Sequence, residues 1–408
     1  MEGVMNRNST PCLHDASRAT QAVDPGGEMG STVSMCVIWS GAVTFSPADV
    51  PANPARELGR HGRLVGREHA DVSGSGMLAV QAALGGLGDS GGIGAPGDDR
   101  VAAALQLARE LGACQATPGD GTTREQWETL ATLAAHDLAV ARAVEPHLDA
   151  IAILTQAGLP LPDGAWGVFA AEGGPDPLLA HPTNQGWVLN GTKPWCSLAD
   201  RLDSALLTAQ TPDGGSRLFS VVLSDPGVHV EGGTWHARGL TEIPSGSVTF
   251  DRVVAESIGD PGWYLTRPGF SWGGIGVAAC WFGGAVGIAR AVFAEARRAP
   301  SPHLLSHLGA IDTLLHASRT ALADAAGRVD AHSSDGGLLV KRVRGIVAQA
   351  CEEVMARAGH ALGPGPLATD ADHAKRVADL QLYVRQHHAE RDEQSLGALL
   401  AQGEGAPW

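Results

Sequence analysis

Several short stretches of this chain carry residue types able to do chemistry. GWVLNGTKPWCSLAD (186–200) sets Lys193, Trp195, Cys196 and Ser197 at one corner. YVRQHHAERDEQSLGALL (383–400) sets His387 and His388 just ahead of Glu390, Asp392 and Glu393. Imidazole titrates near neutrality, so His387 or His388 suits acid–base work, whereas each carboxylate taken singly reads as a solvated helix charge. GIGAPG (92–97) satisfies the dinucleotide pattern GxGxxG, which works only between a strand and a helix; the preceding GGLGDSG is no strand, so it reads as a Gly-rich connection. GFSWG (269–273) satisfies the nucleophile-elbow pattern GxSxG, but TRPGF is not the buried strand an elbow needs. Ser271 reads as a helix cap, and a serine hydrolase survives only as a remote alternative.

Composition removes other classes. A net charge of −15 argues against sequence-independent nucleic-acid binding, which needs clustered Lys and Arg. The six cysteines are scattered without a CxxC pair, and the sixteen histidines include no HExxH. Neither a disulfide framework nor a zinc site is expected, and a reduced, cytoplasmic compartment is the default. No run of about eighteen apolar residues predicts a membrane span, and MCVIWSGAVTF (35–45) lacks the basic lead of a signal peptide.

The elements that must position these residues follow from periodicity. Residues 1–60 are rich in Gly, Pro, Ser and Asp and read as a flexible leader. Residues 61–158 are Ala- and Leu-rich and predict an N-terminal helical domain, its helix over 127–158 kinked or split at Pro146. Residues 159–269 switch to short β-type runs between turn residues, with Asn190-Gly191 read as a hairpin turn. Residues 270–408 are helical again and predict a four-helix bundle with helices over 273–298, 304–329, 338–360 and 371–400. Leu304, Leu308, Ile311, Leu315, Ser318, Leu322, Ala325 and Val329 form a seam for that bundle or for a subunit contact. The fold class is therefore α+β multidomain: a helical domain, a central β-barrel or sandwich, and a helical bundle.

This α–β–α order, with GWVLNGTKPWCS at 186–197, resembles the acyl-CoA dehydrogenase family of flavoproteins. FAAEGGPDP (169–177) stands in the place of that family's preceding loop, and RLFSVVL and GSVTFDRVVAE resemble its later strands. The likeness covers roughly 61–400 and implies an FAD site between the β domain and the bundle. It implies Trp195 and Ser197 at the flavin, with Ala171 and Glu172 in the opposing loop. A flavin ring has apolar faces and a polar edge, which an indole face and a hydroxyl suit. Without the resemblance, Trp195 reads as a plug at the end of a β-sandwich, and Cys196 as a buried, inert small hydrophobe.

The implied activity is α,β-desaturation of an acyl thioester, CoA-bound or carrier-bound, with hydride passing to flavin and electrons leaving to a separate acceptor protein. A homodimer or homotetramer through the bundle is implied too. The chain departs from the family at the catalytic base: SWGGIGVAACWFGG (271–284) holds no acid, and no Glu-Gly-Thr follows. Glu393 is the nominated carboxylate, with His387 and His388 as alternatives. RRAPSPHLLSHLG (297–309) keeps only an arginine of the family's FAD-tail contacts, which opens FMN as the flavin. A flavin-dependent monooxygenase, or a non-catalytic subunit on the same fold, is the alternative to desaturation.

Overall fold

The computed structural model describes Val43, Phe45 and residues 97–408 except 115, 161–162, 174–175, 185 and 404. The leader and GIGAPG thus lie outside the described residues, apart from Val43, Phe45 and Gly97. Val43 and Phe45 are buried; their backbone N–H groups donate to Thr132 Oγ1 (3.0 Å) and Glu128 Oε1 (2.5 Å). These two leader residues are therefore part of the core.

Three helices come first: α1 (Gly97–Cys114), α2 (Thr123–His136) and α3 (Leu138–Gln156). The break within 127–158 falls at Asp137, not at Pro146. Asp137 is extended (φ −149°) and its carboxylate accepts from Ala139 N, which caps α3. Pro146 stays inside α3, leaving the Arg142 carbonyl without its usual i+4 donor.

The β domain holds β1 (Trp166–Phe169), β2 (Leu179–Thr183), β3 (Gly186–Lys193), β4 (Ser204–Gln210), β5 (Ser216–Val222), β6 (Val228–Val230) and β7 (Val248–Ile258). The strands run β1-β4-β2-β3-β7-β5, and an added β4–β5 ladder closes the path into a barrel-like ring. Phe169, Leu189, Leu207, Phe219 and Phe250 fill its interior.

Asn190-Gly191 is not a hairpin turn. The hairpin joins Thr183 to Gly186, and β3 runs straight through Asn190-Gly191 with a bulge beside it. The extra residue of that bulge is Arg252 on β7, at φ 55°, while Gly191, paired with Phe250, has φ +113°. Asn190 Oδ1 accepts from Arg252 N (3.0 Å), replacing a ladder bond. A Cβ on Gly191 would stand 2.5 Å from the Pro177 carbonyl oxygen. Gly191→Ala is accordingly expected to lower unfolding stability by about 1–3 kcal/mol, read by urea denaturation.

After a short turn, α4 (Trp263–Thr266), the bundle comprises α5 (Pro268–Arg298), α6 (Pro302–Asp330), α7 (Gly336–Leu362), α8 (Pro364–Thr369), α9 (Ala371–Tyr383) and α10 (Glu390–Ala401). By length and composition α5 could cross a membrane, yet its apolar window is 67% buried in the protein. Gly283 lets α5 approach α2 closely; a Cβ there would sit 2.2 Å from the Ala131 carbonyl oxygen. The seam of α6 is spent within the chain, since Leu304, Ile311, Ser318, Leu322, Ala325 and Val329 are all buried. The helix expected over 371–400 is broken: a 3-10 turn (Val384–Gln386) and Ala389 at φ +42° separate α9 from α10.

Candidate functional site

The corner after β3 is built from two positive-φ residues, Trp195 (φ 61°) and Leu198 (φ 57°). Cys196 N donates to the Gly246 carbonyl and Leu198 N to that of Pro244, both at 2.9 Å, which pins the corner to the loop before β7. Trp195 is thereby left 61% exposed, its ring meeting only Trp235 edge-on at 6.5 Å. Ser197 points inward: its Oγ shares a hydrogen bond with Ser245 Oγ (2.7 Å) and accepts from Arg142 Nη2 (2.9 Å). Cys196 is buried, and burial pushes its thiol up to about 12, so it stays a protonated, inert side chain.

Lys193 is 2% exposed. Its Nζ donates to Thr208 O (2.6 Å), Thr208 Oγ1 (2.8 Å) and Glu172 Oε1 (3.3 Å). Thr208 Oγ1 donates in turn to Glu172 Oε1 (2.6 Å). The Glu172 carboxylate is thus engaged by a buried ammonium, and Ala171 beside it is half-buried.

Behind the corner a cleft of about 370 Å³ opens among α3, α5, α7 and the segment between α9 and α10. Its walls include Glu145, Asp149, Arg267, Arg344, His387 and Asp392. The break after α9 is what brings His387 here: its ring meets Trp281 edge-on at 6.5 Å, and its Nε2 lies 4.0 Å from Asp392. His388 also lines the cleft, with Nδ1 3.7 Å from Asp392. Burial lowers the His387 pKa, against the pull of Asp392. Glu393 is exposed and is not among the lining residues. Ser271 lines the cleft too, but it sits within the first turn of α5, whose N-cap is Arg267, and a helical turn rather than a strand precedes it. It is neither a cap nor an elbow serine.

Arginines order the cleft. Arg267 pairs with Asp149 (3.5 Å) and donates to Gln156 Oε1 (2.9 Å). Arg344 donates to the carbonyls of Gly274 and Gln386, both at 2.9 Å, and lies over the Trp281 ring at 4.5 Å. Glu145 is 9% exposed, and burial raises its pKa to about 7 despite Arg142. Arg142 joins corner and cleft, bonded to Ser197 on one side and 3.9 Å from Glu145 on the other.

Sequence reasoning passed over Arg142, Glu145 and Asp149. The available signal was a set of charges at i, i+3 and i+7, one helix face, inside the otherwise apolar LAVARAVEPHLDAIAIL. Among the described residues no group of three or more His, Cys, Asp or Glu could hold a metal ion.

The resemblance calls for a flavin at this corner, and the residues fit one in part. Trp195 offers an exposed aromatic face and Ser197 a hydroxyl. Arg142 Nη1, Trp281 Nε1 and Tyr383 OH are buried without a hydrogen-bond partner, as donors beside a missing polar group would be. Lys193 and Thr208 hold Oε1 of Glu172, and the rest of that side chain is exposed.

Residues 175–253 match the family model described as acyl-CoA dehydrogenase, middle domain. No curated protein matches the sequence. KijD3, solved in complex with FMN and dTDP-3-amino-2,3,6-trideoxy-4-keto-3-methyl-D-glucose, is similar at TM-score 0.68 and 19% identity over 83% of this chain and 95% of that one. Dibenzothiophene monooxygenase TdsC from Paenibacillus sp. A11-2 gives TM-score 0.62 and 18% identity over 83% and 98%. Butyryl-CoA dehydrogenase from Megasphaera elsdenii gives 0.67 and 14% over 82% and 99%. The chain therefore has the acyl-CoA dehydrogenase fold, in divergent form, and residues 175–253 are similar to that family's middle domain.

Proposed function

We propose that this protein is a flavin-dependent monooxygenase that works in the cleft between α3, α5 and α7. The observation that carries this reading is the identity of the proton-exchanging groups on the cleft wall. They are His387 and the buried Glu145, while Glu393, the carboxylate nominated for α-proton removal, stays exposed outside it. Oxygen transfer is served by groups that hydrogen-bond and donate protons, and His387 and Glu145 can do both. KijD3 with bound FMN and the monooxygenase TdsC support the same direction.

Bound flavin, reduced by a separate electron-donating partner, would activate dioxygen, one oxygen atom going to the substrate and the other leaving as water. Trp195 would pack on the ring, and Ser197 with Arg142 would meet its polar edge. Arg344 and Trp281 hold His387 at the wall of the cleft, and Arg267 keeps Asp149 occupied. FMN is the proposed flavin, with FAD the alternative. Desaturation remains the second reading because a carboxyl with pKa near 7, such as Glu145, suits a general base.

The test is titration of the purified protein with FMN and FAD, followed by reaction of the reduced complex with air and with a panel of acyl-CoAs. Oxygen transfer at the expense of a reductant supports the proposal, and anaerobic flavin reduction by an acyl-CoA replaces it with desaturation. Failure to bind either flavin ends both. Trp195→Ala is expected to weaken flavin binding about tenfold, from the loss of one aromatic contact, read by quenching of flavin fluorescence.

A further inference from the structure

We propose that Glu145 is the proton-exchanging residue of the cleft, passing a proton between its carboxyl oxygen and the basic or acidic atom of a bound ligand. The inference rests on the cleft being the reaction site proposed above. Its position is distinctive: Glu145, Asp149 and Gly273 line the cleft and also a small annex of about 30 Å³ behind it, walled by Trp127, Leu130 and Trp272. Glu145 therefore borders both spaces.

The two acids at this wall are held differently. Asp149 is paired with Arg267 at 3.5 Å. Glu145 has its nearest cation, Arg142 Nη1, at 3.9 Å, beyond hydrogen-bond reach, and the other Arg142 nitrogen is committed to Ser197. A buried carboxyl without a close donor is free to hold its own proton.

The groups around it are Arg142 and Asp149 on α3, Cys280 on α5, Arg344 on α7 and Tyr383 on α9. Tyr264, Arg267, Lys341, His387, His388 and Asp392 complete the cleft. Burial raises Glu145 and Asp149 raises it further, while Arg142 and Arg344 pull it down. Burial also raises Cys280 and Tyr383, which stay neutral. Burial lowers His387, against the pull of Asp392, and raises Asp149, against Arg267.

The experiment is a pH titration of protein labelled in its glutamate carboxyls, followed by infrared spectroscopy. One carboxyl is expected to titrate between roughly pH 6 and 8, to vanish in Glu145→Gln, and to persist in His387→Asn. A titrating band that survives Glu145→Gln, or no glutamate titrating in that range, overturns the proposal. Glu145→Asp, labelled in its aspartate carboxyls and with circular dichroism to check the fold, should gain a titrating carboxyl that the parent protein labelled in the same way lacks, and it guards against a misfolded glutamine variant. In flavin-loaded protein, the rate at which air reoxidises chemically reduced flavin should change about tenfold per pH unit on one side of the midpoint and turn flat in Glu145→Gln. If no flavin binds, the proposed function fails while the infrared titration still decides the role of Glu145.

Discussion

Lys375→Met is expected to lower unfolding stability by about 3–5 kcal/mol, the cost of removing one partner from a buried ionic cluster. Lys375 lies on α9, and its ammonium meets three carboxylates: Asp379 at 2.5 Å, Glu242 at 3.0 Å and Asp137 at 3.1 Å. Each belongs to a different part of the chain. Asp137 caps α3, Glu242 lies in the loop before β7, and Asp379 sits one turn along α9. The Asp379 side chain is almost fully buried and its Oδ1 accepts from Leu240 N (2.6 Å), so it cannot turn to solvent.

Burial raises the Asp379 pKa in spite of Lys375. At Asp137 burial pushes the same way, but the ammonium and the hydrogen bonds outweigh it and hold the carboxyl below its ordinary value. Without the lysine both would face burial with less compensation. The neighbouring Arg376 donates to the Ala135 and His136 carbonyls at the end of α2, so α9 fastens the first helices and the β-domain loop together. Urea unfolding of Lys375→Met, with Lys375→Arg retaining the charge as the milder comparison, measures the effect. An unfolding free energy within about 1 kcal/mol of the parent protein would show that the cluster contributes nothing net.

What the sequence made legible tracks how local the determinants are. The corner of Trp195 and Ser197 is contiguous and flanked by alternating strands, so its place after β3 was legible, and so was the α–β–α order. Errors arose where one residue type serves two conformations. Gly191 takes positive φ inside a strand, where it passes close to the Pro177 carbonyl, as readily as in a hairpin, and the pattern around Asn190-Gly191 does not separate them. Pro146 looked like a helix boundary, whereas the capping carboxylate of Asp137 set it.

The break at Ala389 carries no Gly or Pro. It is held by contacts made after folding, including the Asp392 carboxylate accepting from His388 N (3.1 Å). Glu145 was hidden for the same reason. Its raised pKa comes from burial in the bundle, beside residues remote in sequence such as Arg344 and Tyr383. The loop residue Glu172 shows the converse: sequence placed it at the corner, but the partner that claims its carboxylate, Thr208, arrives from another strand.

His147 should give the protein a distinct acid limb of stability. The side chain is 3% exposed, and its Nδ1 accepts from Trp166 N at 3.2 Å, so the folded ring is neutral there. Its Nε2 faces Gly112, where a Cβ would stand 2.7 Å away. Burial, aided by Arg109, lowers its pKa to about 4 from 6.5. In the unfolded chain the ring takes up a proton below about pH 6.5, and in the folded protein only below about pH 4. Between those values the unfolded state binds more protons, so stability falls as pH falls, by about 3 kcal/mol in total. Below the folded pKa the contribution is flat. Other histidines with lowered pKa values, His136, His373 and His387, act in an overlapping range, so the slope alone does not identify His147. His147→Asn separates it, because the amide oxygen can still accept from Trp166 N but does not titrate. The smaller side chain adds a cost that is independent of pH, so the quantity to read is the slope of unfolding free energy against pH. The variant should be flatter than the parent between roughly pH 6.5 and 4, and parallel curves would show that His147 is not buried in its neutral form.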